Sequence, residues 1–161
     1  MSNEEQVEIY LRLLLALALG SAVGFEREFR GHEAGIRTLG LACLGAAIFG
    51  EASNFYGDSR VAAGVVQGIG FLGAGLIIVR GVNVVGATTA VTVWAMAGIG
   101  LLVSEDAWLT AVLMTATIIV ALELSPVSDW VLGHGRPNAE AARLKALSDG
   151  VEAEPANKKK G

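Results

Sequence analysis

The charged stretch Gly24–Thr38, GFEREFRGHEAGIRT, holds most of the residues in this chain that could do chemistry. Three carboxylates, Glu26, Glu28 and Glu33, stand beside three guanidinium groups, Arg27, Arg30 and Arg37. On a helix Glu26 and Arg30 are four residues apart in the favourable order, and Glu28 and His32 share that spacing. The plainer reading is a solvated cap that fixes topology. The functional one is an ion-pair network at the mouth of a helix bundle that holds a cation or competes with one. A hard divalent ion such as Mg²⁺ takes oxygen ligands and keeps several waters. A metal site on Glu26 and Glu28 would therefore be loose, not a closed cage.

Catalytic patterns begin and fail. GIGFLG (Gly68–Gly73) matches a dinucleotide fingerprint, but that fingerprint needs a strand before it and a soluble helix after it. His32-Glu33 opens like a zinc-protease motif, yet Ile36 stands where the second histidine must be, and the other histidine is the distant His134. No Ser/His/Asp set has a plausible setting, so no enzyme and no catalytic residue are expected.

The elements that would position the charged stretch are apolar. Val61–Val79, VAAGVVQGIGFLGAGLIIV, carries no charge and is bounded by Arg60 and Arg80. At about 1.5 Å per residue, such a helix nearly crosses a hydrocarbon core about 30 Å thick. Its non-aliphatic positions are Gly64, Gln67, Gly68, Gly70, Phe71, Gly73 and Gly75. Glycine is costly in an isolated helix, and in lipid its usual use is close helix–helix packing. This stretch is therefore expected to be the central helix, with the others packed around it. Gln67, on one face with Gly64, Phe71 and Ala74, would bond a neighbouring helix. Gly86, Thr88, Thr89 and Thr92 open a later span, whose hydroxyls bond back to their own helix or face the central one. Trp94 suits the bundle interior, and Trp108 and Trp130 suit interfacial anchoring.

The rest of the composition agrees: 53% of residues are hydrophobic, 17% are charged and 21 are glycine. That is the balance of a polytopic membrane protein, not of a soluble globule. Cys43, the lone cysteine, sits in an apolar run as a small buried hydrophobe. An all-α bundle of about five transmembrane helices is expected in residues 1–126, with spans at about 9–25, 39–55, 61–79, 87–103 and 107–122. Four spans with one re-entrant segment is the alternative. The acidic start, Glu4, Glu5 and Glu8, does not look like a cleavable signal peptide. Five spans put ten of the twelve basic residues on one side, with Arg60 on the other and Arg12 within the first span. The positive-inside rule then places the N-terminus outside and the C-terminus in the cytoplasm. Residues 127–161 read as a Gly/Pro linker, a short helix after Asn138 and a disordered tail ending in Lys158, Lys159 and Lys160.

Three blocks, GFEREFRGHEAGIRT, RVAAGVVQGIGFLGAG and GATTAVTVWAMAGIGL, resemble the signature blocks of the MgtC/SapB family of bacterial inner-membrane proteins, in order and in spacing. The resemblance covers about residues 9–122. By position its motif residues are Glu26, Arg27, Glu28, Arg30, Gly35, Arg37 and Thr38 in the charged stretch, Gly68, Gly70, Phe71, Gly73 and Gly75 in the glycine helix, and Gly86, Thr89 and Trp94 in the fourth span. The resemblance implies a protein linked to growth in low magnesium, without the larger soluble C-terminal domain of some members. Better-known members are also linked to survival inside host cells and to restraint of the proton-driven ATP synthase. Gly64 and Gln67 stand where members commonly carry Gln and Ser. Thr88 stands where some virulence-associated members carry Asn, which argues against transferring the ATP-synthase role.

The leading expectation is a non-enzymatic protein of Mg²⁺ homeostasis that acts by lateral contact with a second copy or another membrane protein. The alternative is a Mg²⁺ or other cation transporter or channel subunit, dimeric or not, with the glycine helix broken at midplane. An assembly factor with no ion dependence is the third reading. Mg²⁺ enters as ligand or substrate, no other cofactor is implied, and no nucleic-acid partner is expected.

Overall fold

Helix α1, Asn3–Phe29, begins well before its apolar run because the polar start caps it. The Ser2 hydroxyl accepts from the Glu5 backbone N–H at 3.2 Å, while the Glu5 carboxylate accepts from the Ser2 backbone N–H at 2.7 Å. This capping box satisfies two of the donors that a helix start leaves open. The computed structural model describes residues 1–80 and 83–124. The expected linker, short helix and tail, with Trp130, lie outside those residues.

Gly31, at φ +76°, turns the chain out of α1, so His32 does not extend the helix. Helix α2, Ile36–Tyr56, follows and stops at Gly57, at φ +65°. Helix α3, Arg60–Gly75, is 16 residues long, so the helix expected over 61–79 ends early. The next residues form a short antiparallel hairpin of β1, Ile78–Arg80, and β2, Asn83–Val85, with Ile78 opposite Val85. Ile77, Ile78, Val79, Val84 and Val85 fit a lipid-facing helix by hydropathy, but their β-branched side chains also favour an extended chain. Two glycines at the end of α3 weaken the helix there. Helices α4, Ala87–Ser104, and α5, Trp108–Glu123, complete the described chain, joined through Asp106 at φ +59°.

Among the described helices α1, α2 and α4 are long and apolar enough to cross a membrane, and α5 is apolar but shorter. The protein is an all-α membrane bundle. Large apolar side chains such as Tyr10, Leu41, Phe49, Phe55 and Phe71 are exposed on its outside, as a surface solvated by lipid requires.

The core lies between α1, α2 and α4, where Val23, Leu39, Cys43, Met96 and Val103 are fully buried. This corrects the expectation that the glycine helix is central. Helix α3 touches α2 and α4 from the side, and Gly73 alone among its residues is buried. The reason is volume: α3 is built of Gly, Ala and Val with few side chains able to fill a core, while Leu39 and Met96 can.

Close approach of helices uses other glycines. A Cβ on Gly20 would press on the Leu39 carbonyl oxygen and lie 2.7 Å from Cys43 Cβ; one on Gly24 would stand 2.8 Å from the Ile36 nitrogen. On Gly100 it would collide with the Cys43 carbonyl oxygen. Gly20 and Gly24 are spaced as small-xxx-small, the pattern that lets membrane helices meet at backbone distance.

Candidate functional site

The end of the bundle where α1 stops and α4 starts gathers most of the motif residues. Gly86 precedes α4 at φ +86°, and a Cβ there would strike the Leu76 carbonyl oxygen. That left-handed turn suits glycine. It sets the first turn of α4 so that Thr89 points inward, where its Oγ1 accepts from Arg27 Nη2 at 2.9 Å. Arg27 is 3% exposed, Thr89 is 6% exposed, and they are 62 residues apart in sequence. Nε of Arg27 is buried with no hydrogen-bond partner among the described residues. A guanidinium inside a membrane bundle is costly and is the first candidate for a functional group.

Its neighbours divide the carboxylates between them. Glu26 pairs with Arg30 at 2.8 Å, in the i,i+4 order expected. Glu28 accepts from the Ile36 backbone N–H at 3.0 Å, closing the open start of α2, so its expected pairing with His32 is replaced by a cap. Gly35 stands against it, where a Cβ would press on the Glu28 carboxylate, the movable end of a flexible side chain. Glu26 and Glu28 are therefore not brought together as a metal site. Residues two apart on a helix face opposite ways, and each carboxylate already has a partner. No group of three or more His, Cys, Asp or Glu among the described residues could hold a metal ion. His32, Glu33, Arg37 and Thr38 line an open cleft of about 590 Å³ with Glu28.

The glycine-helix residues are placed differently from one another. Gly73 packs on Ala90, where a Cβ would stand 3.5 Å from the Ala90 carbonyl oxygen. Gly64, Gly68, Gly70 and Gly75 face open space, and Phe71 is 82% exposed. Gln67 is exposed, and its side-chain amide makes no hydrogen bond to another described residue. Thr92 bonds back to the Thr88 carbonyl at 2.8 Å, and Thr88 itself is exposed. Neither Thr89 nor Thr92 bonds α3. Trp94 is half exposed over the shallow groove between α3 and α4, not within the core.

At the opposite end Arg12 ties three elements together, an arrangement not evident in the sequence. It pairs with Glu8 at 2.6 Å, with Asp106 of the α4–α5 turn at 3.4 Å and with Glu51 of α2 at 3.6 Å. Asn54 Nδ2 donates to the Ser104 carbonyl at 3.0 Å beside them. Arg12→Gln should leave the half-buried Glu51 without its counterion and cost about 1 kcal/mol, since Glu8 and Asp106 are solvated. Reversible unfolding in mixed micelles would measure this, and an unchanged midpoint would show that the cluster does not brace the bundle.

Residues 13–129 match the model of the MgtC family. The chain belongs to that family. It is 44% identical over 113 residues to protein MgtC of Salmonella typhimurium, covering 68% of this chain and 48% of that one. It is 37% identical over 129 residues to the putative magnesium transporter YhiD of Escherichia coli, covering 73% of this chain and 60% of YhiD. An uncharacterized protein of Haemophilus influenzae is 33% identical over 165 residues, covering 93% of this chain and 68% of its own length. The chain thus spans about half the length of the MgtC proteins it matches. No solved structure matches it.

Proposed function

We propose that this chain is a non-enzymatic inner-membrane protein of Mg²⁺ homeostasis that acts by helix–helix contact, with α3 as the contact surface. The observation that carries this reading is the outward face of α3. Ala63, Gln67, Gly70 and Ala74 recur there at helical spacing, all exposed, with Gly70 and Ala74 bordering the groove shared with α4 and with an amide that finds no partner among the described residues. An unpaired amide in hydrocarbon gains by bonding a neighbouring helix, and small residues let that helix come close. The partner is a second copy or another membrane protein. The ATP synthase enters only through the family resemblance, and Thr88 argues against it. The charge distribution supports an N-terminus outside and a C-terminus in the cytoplasm.

A cysteine placed at Ala63 or Ala74 should crosslink to the partner in membranes, with the buried Cys43 as a silent background. Gln67→Leu combined with Gly70→Leu should abolish the crosslink while insertion and expression stay the same. An unchanged crosslink would refute the proposed surface.

The transport reading has one observation in its favour: α3 leaves helical geometry at Gly75 and turns into a hairpin, as broken transporter helices do near a site. Purified protein in liposomes with a Mg²⁺-sensitive dye distinguishes the two. No flux is expected, and flux abolished by Thr89→Val would favour transport.

A further inference from the structure

Between α2 and α3 runs a groove of about 630 Å³, walled by Leu41, Gly45 and Phe49 on one side and Gly64, Gly68 and Leu72 on the other. The lining is almost wholly apolar. Along α3 it extends from Val61 to Leu72, a rise of about 16 Å, which is close to half of a hydrocarbon core about 30 Å thick. Its depth is therefore that of one leaflet. An open, apolar groove of this length accepts a lipid hydrocarbon chain.

One turn beyond Leu41, on the same side of α2, stands Thr38, followed by Arg37 and the polar cleft. Arg37 is exposed and has no ion pair among the described residues. The cleft contains both signs, with Arg37 against Glu28 and Glu33, and His32 at its edge. Glu28 has one oxygen engaged with the start of α2; Glu33 is exposed. A purely anionic headgroup would meet two carboxylates for one guanidinium, whereas a headgroup with both a phosphate and an ammonium finds a partner for each. We propose that a phospholipid with an amine-bearing headgroup occupies this site, its acyl chain in the α2–α3 groove, its phosphate on Arg37 and its ammonium toward Glu33. The site lies beside the α3 face proposed for helix contact, which remains free when the lipid is bound.

The test uses the full chain purified in a mild detergent, with native mass spectrometry and phosphatidylethanolamine or phosphatidylglycerol of identical acyl chains. One phosphatidylethanolamine per chain should be retained, in preference to phosphatidylglycerol. Arg37→Gln should lower retention about tenfold, with Arg37→Lys recovering part of it. Gly45→Phe and Gly68→Phe fill the groove from opposite walls, at positions with open space, and each should displace the lipid while circular dichroism stays unchanged. If one variant fails to fold, the other still reads the groove. Equal retention of the two lipids, or retention unaffected by filling the groove, overturns the proposal. So does a doubled protein mass lost in the groove variants, which would assign the groove to a second copy. Failure of cysteines at Ala63 and Ala74 to crosslink in the otherwise unaltered chain, with lipid retention intact, would overturn the helix-contact reading alone.

Discussion

Gly100→Ala is expected to destabilise the bundle by about 2–3 kcal/mol, more than any single methyl placed on the glycine helix. A Cβ at Gly100 meets the backbone of α2: it collides with the Cys43 carbonyl oxygen, stands 3.0 Å from the Ala47 nitrogen and 2.9 Å from Ala46 Cβ. Backbone atoms of a packed helix cannot rotate away as a side chain can. The two helices must part, and Leu39, Cys43 and Met96 would lose packing together. Gly50→Ala is expected to fall between, because its obstacle is the Ser104 hydroxymethyl group, which has other rotamers. Gly68→Ala should be neutral or slightly stabilising, since nothing lies within 4 Å of its Cβ and alanine is the better helix former. Reversible unfolding in mixed micelles would rank the three. Equal damage from Gly68→Ala and Gly100→Ala would contradict the packing order described above.

That ranking also shows what could be read without coordinates. The helical bundle was legible, because uncharged runs of membrane length leave few alternatives once backbone groups must be satisfied internally. So was the Glu26–Arg30 pair, a contact within one helix turn. Which glycines pack was not. Counting them singled out α3, where they are densest, but density in one helix says nothing about which face meets a neighbour. The spacing of Gly20 and Gly24 held that information, and Gly100 held it only jointly with Cys43, 57 residues away in the chain. The hairpin was hidden because Ile77–Val79 is equally apolar as helix or strand. The contacts of Arg12 with Glu51 and Asp106, and of Arg27 with Thr89, were hidden for one common reason: each joins different elements, whose proximity depends on how the helices align.

Thr89→Val should cost about 2 kcal/mol although it is nearly isosteric, and the loss should depend on Arg27. The hydroxyl is the only hydrogen-bond partner seen for the Arg27 guanidinium among the described residues, and both side chains are buried. Removing it leaves a charged donor in the bundle interior, and the asymmetry of hydrogen bonding makes that worse than removing both partners. Arg27→Met with Thr89→Val should therefore be less destabilised than the sum of the single changes, by at least about 1 kcal/mol. Thr89→Ser, which keeps the hydroxyl, should stay near the parent. Additivity within about 0.5 kcal/mol would mean that the bond contributes little, with Arg27 held by its surroundings instead. The cycle also bears on function. If the pair only braces the bundle, the stable double variant should support growth at limiting Mg²⁺ as well as the parent. If Arg27 acts on a partner or an ion, growth should fail in that variant despite its recovered fold, because no bond within the bundle can replace a charge needed outside it.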